Sequence, residues 1–296
     1  MLDDTRLRAL EASLRRQCNW PQTEVLRDLK DPEVSHKWLW HLDSRSGTVL
    51  APCDYVSSVQ RRLGARLCRG GIACRLCGCP LDPQLVHSEC CDRAGATRGH
   101  YAVVRELVKG FKLADPSVAT EVRGLTSTSS RPADILTFAA VPGRRVALDV
   151  CVASPNASGA AGDAAEAAFR RKLRRYRLEI PQLAAAGILF RPLVWTSNGR
   201  PHPAAVRTLH CAAEQAANRS DLDTTSRALL SRWRHEIQIA ILRRGAAMAR
   251  AVVPAPSAAD VWLLAGHSAC VPDPAGRAQP LREEDVVGDE AGRMED

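Results

Sequence analysis

Lysine is scarce in this chain. Of 41 basic residues only five are Lys (Lys30, Lys37, Lys109, Lys112 and Lys172) and the rest are Arg. Where Arg is the default cation, a Lys in an unusual setting calls for a reason. Long apolar runs are also missing: none approaches the roughly 18 residues of a membrane-spanning helix. The N-terminal stretch MLDDTRLRALEASLRRQ is charged and amphipathic, without the apolar segment of a secretory signal.

What is present bounds the rest. With 296 residues and 45% apolar content the chain can bury a core, as one or two domains. Its eleven cysteines are an odd number. Without a signal segment a reducing compartment is expected, where clustered cysteines read as metal ligands rather than as bridges. The net charge of +8 is uneven. Residues 274–296 hold three Arg against seven Asp and Glu, a net of −4, so residues 1–273 carry +12. A basic body of that kind suits nucleic acid, the alternative being a solvated surface.

Along the chain, residues 1–73 read as short amphipathic helices broken at Pro21, Pro32 and Pro52. Residues 74–100 hold a Cys/His cluster with little apolar content, so they are expected to fold around a metal. Residues 101–220 change character. A helix over 98–113 precedes three β-like runs at 118–125, 133–140 and 144–154; a helix over 162–180, a strand over 188–195 and a helix over 203–218 follow. This α-β-β-β-α-β-α order predicts an α/β (α+β) domain. A basic amphipathic helix is expected within 221–253, with Leu229, Leu230, Trp233, Ile237, Ala240 and Ile241 on one stripe. The Pro/Gly-rich acidic tail, 254–296, reads as largely disordered.

Two constellations carry chemistry. In the first, Cys74-x2-Cys77, nine residues, His87 and then Cys90 or Cys91 form a four-ligand set with zinc-type donors. Cys79 competes from within the loop, and unliganded cysteines are the plain alternative. Four protein ligands would close the site, making the zinc structural. In the second, three carboxylates fall on the three predicted strands. Glu121 shares a face with Ala119 and Arg123, Asp134 with Leu136 and Phe138, and Asp149 with Ala147 and Cys151. An Asp among apolar strand residues is costly to bury unless something binds it. Two of them on neighbouring strands suit a shared Mg²⁺, and pairing with Arg131, Arg144 or Arg145 is the alternative.

Lys172 lies on a helix whose apolar stripe is Phe169, Leu173 and Tyr176, about 60° from Phe169 on the helical wheel. A lone Lys leaning toward the sheet suits a phosphate or an attacking water, against a snorkelling Lys on an ordinary amphipathic helix. Glu106 falls on the solvated side of its helix. His100 falls on the apolar side, which directs it either to the carboxylates or into the core.

Taken in order, the Cys-x2-Cys…His…Cys set, ATRGH ending at His100, RPAD with Asp134, LDV with Asp149 and the Lys-bearing helix ending at Tyr176 resemble a known family. It is the C-terminal restriction-endonuclease-like region of non-LTR (LINE-like) retrotransposon polyproteins, over roughly residues 60–220. The resemblance implies a zinc knuckle followed by a PD-(D/E)xK nuclease core. It makes Asp134 and Asp149 the Mg²⁺ ligands and Glu121 an additional acidic group. DNA, with element RNA, would be the partner, without membrane or nucleotide cofactor, and the location would be nuclear. The activity implied is nicking of target DNA so that its 3′ end primes reverse transcription. No Tyr-x-Asp-Asp of a reverse transcriptase occurs in the chain. Two departures stand out. Ala133 separates Pro132 from Asp134, and Cys151 occupies the position of the motif's Lys, which leaves Lys172 on the following helix to supply the ammonium. A catalytically inactive, retrotransposon-derived nucleic-acid-binding protein is the rival expectation, and a zinc-stabilised interaction protein the third.

Overall fold

The computed structural model describes residues 20–40, 48–68, 71–127, 131–155, 162–219 and 224–254, together with Thr5, Ala9, Ala12 and Ser13. The tail expected to be disordered lies outside the described residues, apart from Pro254. The chain is a mixed α/β protein built on a four-stranded sheet of order β1-β2-β3-β4.

The strands are β1 (Ala119–Thr120), β2 (Ile135–Thr137), β3 (Arg145–Ala153) and β4 (Ile188–Thr196). β1 pairs with β2 and β2 with β3 in antiparallel fashion. β3 and β4 are parallel over nine residue pairs, from Arg145↔Ile188 to Ala153↔Thr196. Parallel strands need a crossover, here the helices α5 (Ala164–Arg175) and α6 (Glu179–Ala185). The remaining helices are α1 (Trp20–Lys30), α2 (Pro52–Arg62), α3 (Val86–Cys90), α4 (Ala96–Ala114), α7 (Pro203–Arg219) and α8 (Ser226–Val252).

Both faces of the sheet are covered, which is why β3 reads as a nearly unbroken apolar run. Val146, Leu148 and Val150 join Leu193 and Trp195 against α4, α7 and α8. On the other face Leu136 and Ala147 pack with Leu183 of α6, while Ala153 and Val194 pack with Ala164, Ala165 and Ala168 of α5. Local signals set the helix starts. Asp163 accepts from the amides of Ala165 and Glu166 at 2.9 and 3.1 Å, and Thr225 Oγ1 accepts from the Ala228 amide at 3.2 Å.

The expected amphipathic C-terminal helix is present, with Leu229, Leu230, Trp233, Ile237, Ala240 and Ile241 of its stripe all buried. α8 is a central element, burying His235, Gln238, Ile239 and Met248 in addition to its apolar stripe. It packs against α2, α3, α4 and α7. Its crossing with α4 is antiparallel and close because two glycines stand where side chains would collide. A Cβ at Gly110 would lie 3.0 Å from the Trp233 ring, and one at Gly99 would lie 2.2 Å from Arg244 Cγ. Each pair is three helical turns from the other, so the two contacts recur on one face.

The N-terminal segment is attached rather than separate. Asp28 of α1 accepts from Arg200 Nε at 2.7 Å and Thr196 Oγ1 at 2.9 Å. Arg200 also reaches Asp163, so one guanidinium links α1, the α5 cap and the end of β4.

Candidate functional site

The Cys/His loop is shaped by backbone before any metal is considered. Cys74 donates to the Cys79 carbonyl and Gly78 to the Cys74 carbonyl, both at 2.8 Å, a tight turn that needs the left-handed Gly78 (φ 78°). Asp82 then starts α3. Its Oδ1 accepts from the Gln84 and Val86 amides at 3.0 and 3.1 Å, and Oδ2 from the His87 amide at 3.2 Å. The result gathers Cys74, Cys77, His87 and Cys91, with their ligand atoms all within 4.8 Å of one another.

Three thiols and an imidazole are a donor set that can hold zinc, closed by four protein ligands. Cys91, rather than Cys90, is the fourth member, and Cys79 stays outside. The Cys77 thiol is held below its ordinary value, chiefly by the Cys79 backbone amide, which favours the thiolate that a metal needs.

The segment does not stand alone. Leu67, Leu81, Leu85 and Ala94 share a cluster with Met248, Ala249 and Val252 of α8. Arg75 donates to the carbonyls of Ala251 and Val252, at 2.7 and 2.9 Å, satisfying the last turn of α8. From α3, Glu89 accepts from Arg61, Ser154 and Ser197, the last at 3.2 Å. That carboxylate ties the loop to the ends of β3 and β4.

The second site forms where β2 stops short. Ile135 pairs with Leu148, and one step further along the ladder Asp134 stands opposite Asp149. The Asp134 amide donates to the Leu148 carbonyl at 2.9 Å, and its Oδ2 accepts from the Val150 amide at 2.6 Å. Beyond this point, among the described residues, β3 has a ladder partner only in β4. His100, near the start of α4, brings Nε2 to 3.2 Å from Asp134 Oδ1. From the other layer Lys172 Nζ lies 2.8 and 3.1 Å from the two Asp149 oxygens, and Tyr176 Oη donates to Oδ1 at 3.1 Å.

Asp149 is only 3% exposed, so its charge must be compensated. Burial pushes its carboxyl above the ordinary range and Asp134 adds to that, while Lys172 and Tyr176 oppose it. The Tyr176 hydroxyl is pushed up by burial and by Asp149, which keeps it a donor. The thiol of Cys151 is raised foremost by its own burial.

The expected residues do not all arrive together. Asp134, Asp149 and Lys172 converge, and of the two destinations open to His100 the structure selects the carboxylates. Glu121 does not follow the expected strand. β1 ends at Thr120, and Glu121 adopts a left-handed backbone (φ 52°) that breaks the alternation. Its side chain pairs with Arg131 at 3.2 Å. Glu106 pairs with Lys109 at 2.9 Å. Tyr176 was assigned to the apolar stripe by sequence, yet it stands one helical turn beyond Lys172 and so reaches the same carboxylate.

All four carboxylate oxygens of Asp134 and Asp149 are met within the protein, by His100, the Val150 amide, Lys172 and Tyr176. Among the described residues only the Cys/His group brings three or more metal-ligating side chains together. No helix of the described residues is long and apolar enough to cross a membrane. No family model matches the chain, and no curated protein matches its sequence.

Proposed function

We propose that the chain is a metal-dependent DNA endonuclease with a PD-(D/E)xK-type core and a structural zinc loop. It resembles the C-terminal nuclease region of non-LTR retrotransposons and would act on DNA in the nucleus, with element RNA as a second partner. The observation that carries this reading is the Lys172 ammonium 2.8 Å from the buried Asp149, with Asp134 opposite at the unpaired edge of β3. A Lys supplied from a helix restores the charge that Cys151 does not provide.

Mg²⁺ held by Asp134 and Asp149, when bound, supplies water activation and neutralises charge at the phosphate. Lys172 orients the attacking water or contacts the scissile phosphate. His100 and the Val150 amide position Asp134, and Tyr176 positions Asp149. Water adds to phosphorus and the bond to the 3′ oxygen breaks, leaving a 3′-hydroxyl and a 5′-phosphate. Glu121, paired with Arg131, contributes at most at the periphery.

Cys151 favours one rival, a nucleic-acid-binding remnant in which the Lys172–Asp149 pair is only structural. Nicking of supercoiled plasmid by the zinc-loaded chain separates the two. The expected result is open-circular product with Mg²⁺ and none with EDTA. Salt-sensitive DNA binding, weakening steeply between about 50 and 200 mM salt, without nicking would establish the remnant.

A further inference from the structure

Arg244 of α8 is a cation that the proposed chemistry has not used. Its stem lies across the backbone of Gly99, the residue before His100, so tightly that even a Cβ there would overlap it. The stem therefore runs beside the helix start that delivers His100 to Asp134. Its Nε is enclosed and makes no hydrogen bond, and no carboxylate of the described residues pairs with it. This contrasts with Arg61 on Glu89 and Arg200 on Asp28 and Asp163.

Arg244 is half-buried, and its enclosed Nε–H is left without an acceptor, which is costly, while the outer nitrogens of the guanidinium are not enclosed. An anion bound at this guanidinium would offset that cost. Its own positive charge, unpaired by any carboxylate of the described residues, sets the ligand's sign. Cys151, two residues past Asp149, lies within electrostatic reach of Lys172, Arg171 and Arg244 as well as of the Asp149 carboxylate. Burial and the nearby Arg244 lower the Arg61 guanidinium to about 10. Cations of α5 and α8 thus lie close to Cys151 of β3, beside the Asp149 carboxylate.

We propose that Arg244 is a phosphate ligand, contacting a backbone phosphate of the DNA strand there. The planar guanidinium suits a phosphate oxyanion better than an ammonium would. For its ligand the inference rests on the nuclease reading. For its geometry it rests on Arg244 alone.

The test compares the full zinc-loaded chain with Arg244→Met and with the Asp134→Ala/Asp149→Ala double variant. Thermal melting is followed in phosphate and in chloride at equal ionic strength, and binding of a short DNA duplex is measured without Mg²⁺. Phosphate should raise the melting temperature of the wild type but not of Arg244→Met. In chloride the variant should melt no lower than wild type. Its duplex affinity should fall about tenfold, as for loss of one charged hydrogen bond, with a salt slope smaller by about one. The double variant should keep the phosphate response, so a folded wild type that fails to nick plasmid in Mg²⁺ would overturn the nuclease reading and leave this one intact. A phosphate response missing from the wild type, or unchanged in Arg244→Met, overturns the proposal. A lost phosphate response with unchanged duplex binding overturns the DNA assignment in favour of free phosphate. If Arg244→Met does not fold, Arg244→Gln keeps the length and polarity and is judged by the same outcomes.

Discussion

Lys172→Ala should lower Mg²⁺-dependent plasmid nicking about 100-fold or more, the size expected for loss of a positioned proton-transfer or charge-stabilising group. DNA affinity should stay within about threefold, since the Lys172 ammonium is already paired with Asp149 and adds little net charge for DNA. Removing the ammonium leaves Asp149 buried against Tyr176 alone, and breaking a buried pair from one side costs about 3–5 kcal/mol. The assay therefore belongs well below the melting temperature, with circular dichroism confirming the fold. Tyr176→Phe separates support from chemistry. It removes one hydrogen bond to Asp149 Oδ1 and leaves Lys172 on both oxygens. A loss of about tenfold or less is expected, in line with about 1.5 kcal/mol for a hydrogen bond to a charged acceptor. Unchanged nicking in Lys172→Ala would return this residue to an ordinary salt bridge.

Zinc removal has the next largest expected effect, and it should be local at first. The Cys/His segment has few apolar side chains of its own, and those it has face Met248, Ala249 and Val252. Binding energies of structural zinc sites, about 10–16 kcal/mol in small peptides, are folding energies. Chelation should therefore release residues 71–94, and hydrogen exchange should rise there and at the last turns of α8 that Arg75 holds. The release should also free Ser154 and Ser197 from Glu89, at the ends of β3 and β4. Metal content supplies the sharper comparison. Cys91→Ser should lose the bound zinc while Cys90→Ser keeps about one equivalent, because Cys90 lies outside the ligand group. Exchange unchanged by chelation, or zinc lost equally in both variants, would contradict the assignment.

How much of this was legible in the sequence depends on the range of the interaction involved. β3 and β4 announce themselves because a strand buried on both faces is apolar throughout. Cys74, Cys77 and His87 stand out through ligand spacing within a short loop. Lys172 was found by its place on a helical wheel. Longer-range features were not written locally. The choice between Cys91 and Cys90 depends on how α3 is capped by Asp82. The pairing of His100 with Asp134 requires α4 to cross the end of β2. Tyr176 carries the same apolar pattern as Phe169 and Leu173, so its hydroxyl contact was hidden behind its ring. β1 was overestimated because VATEVRGL alternates well, whereas the left-handed turn at Glu121 ends the ladder after two residues. The apolar stripe of α8 is legible in the sequence, whereas the helices it packs against are not. Gly99 and Gly110, which let Arg244 and Trp233 lie on α4, sit more than a hundred residues away.

The central claim is that Asp134 and Asp149 form the cutting site, and the comparison of wild type with the Asp134→Ala/Asp149→Ala variant tests it most directly. Both proteins, zinc-loaded and folded, are incubated with supercoiled plasmid in Mg²⁺ and in EDTA. The account predicts nicking by the wild type in Mg²⁺ alone and none by the variant, which should still bind DNA. Equal nicking by both proteins, or none by a folded wild type that binds the plasmid, would contradict it.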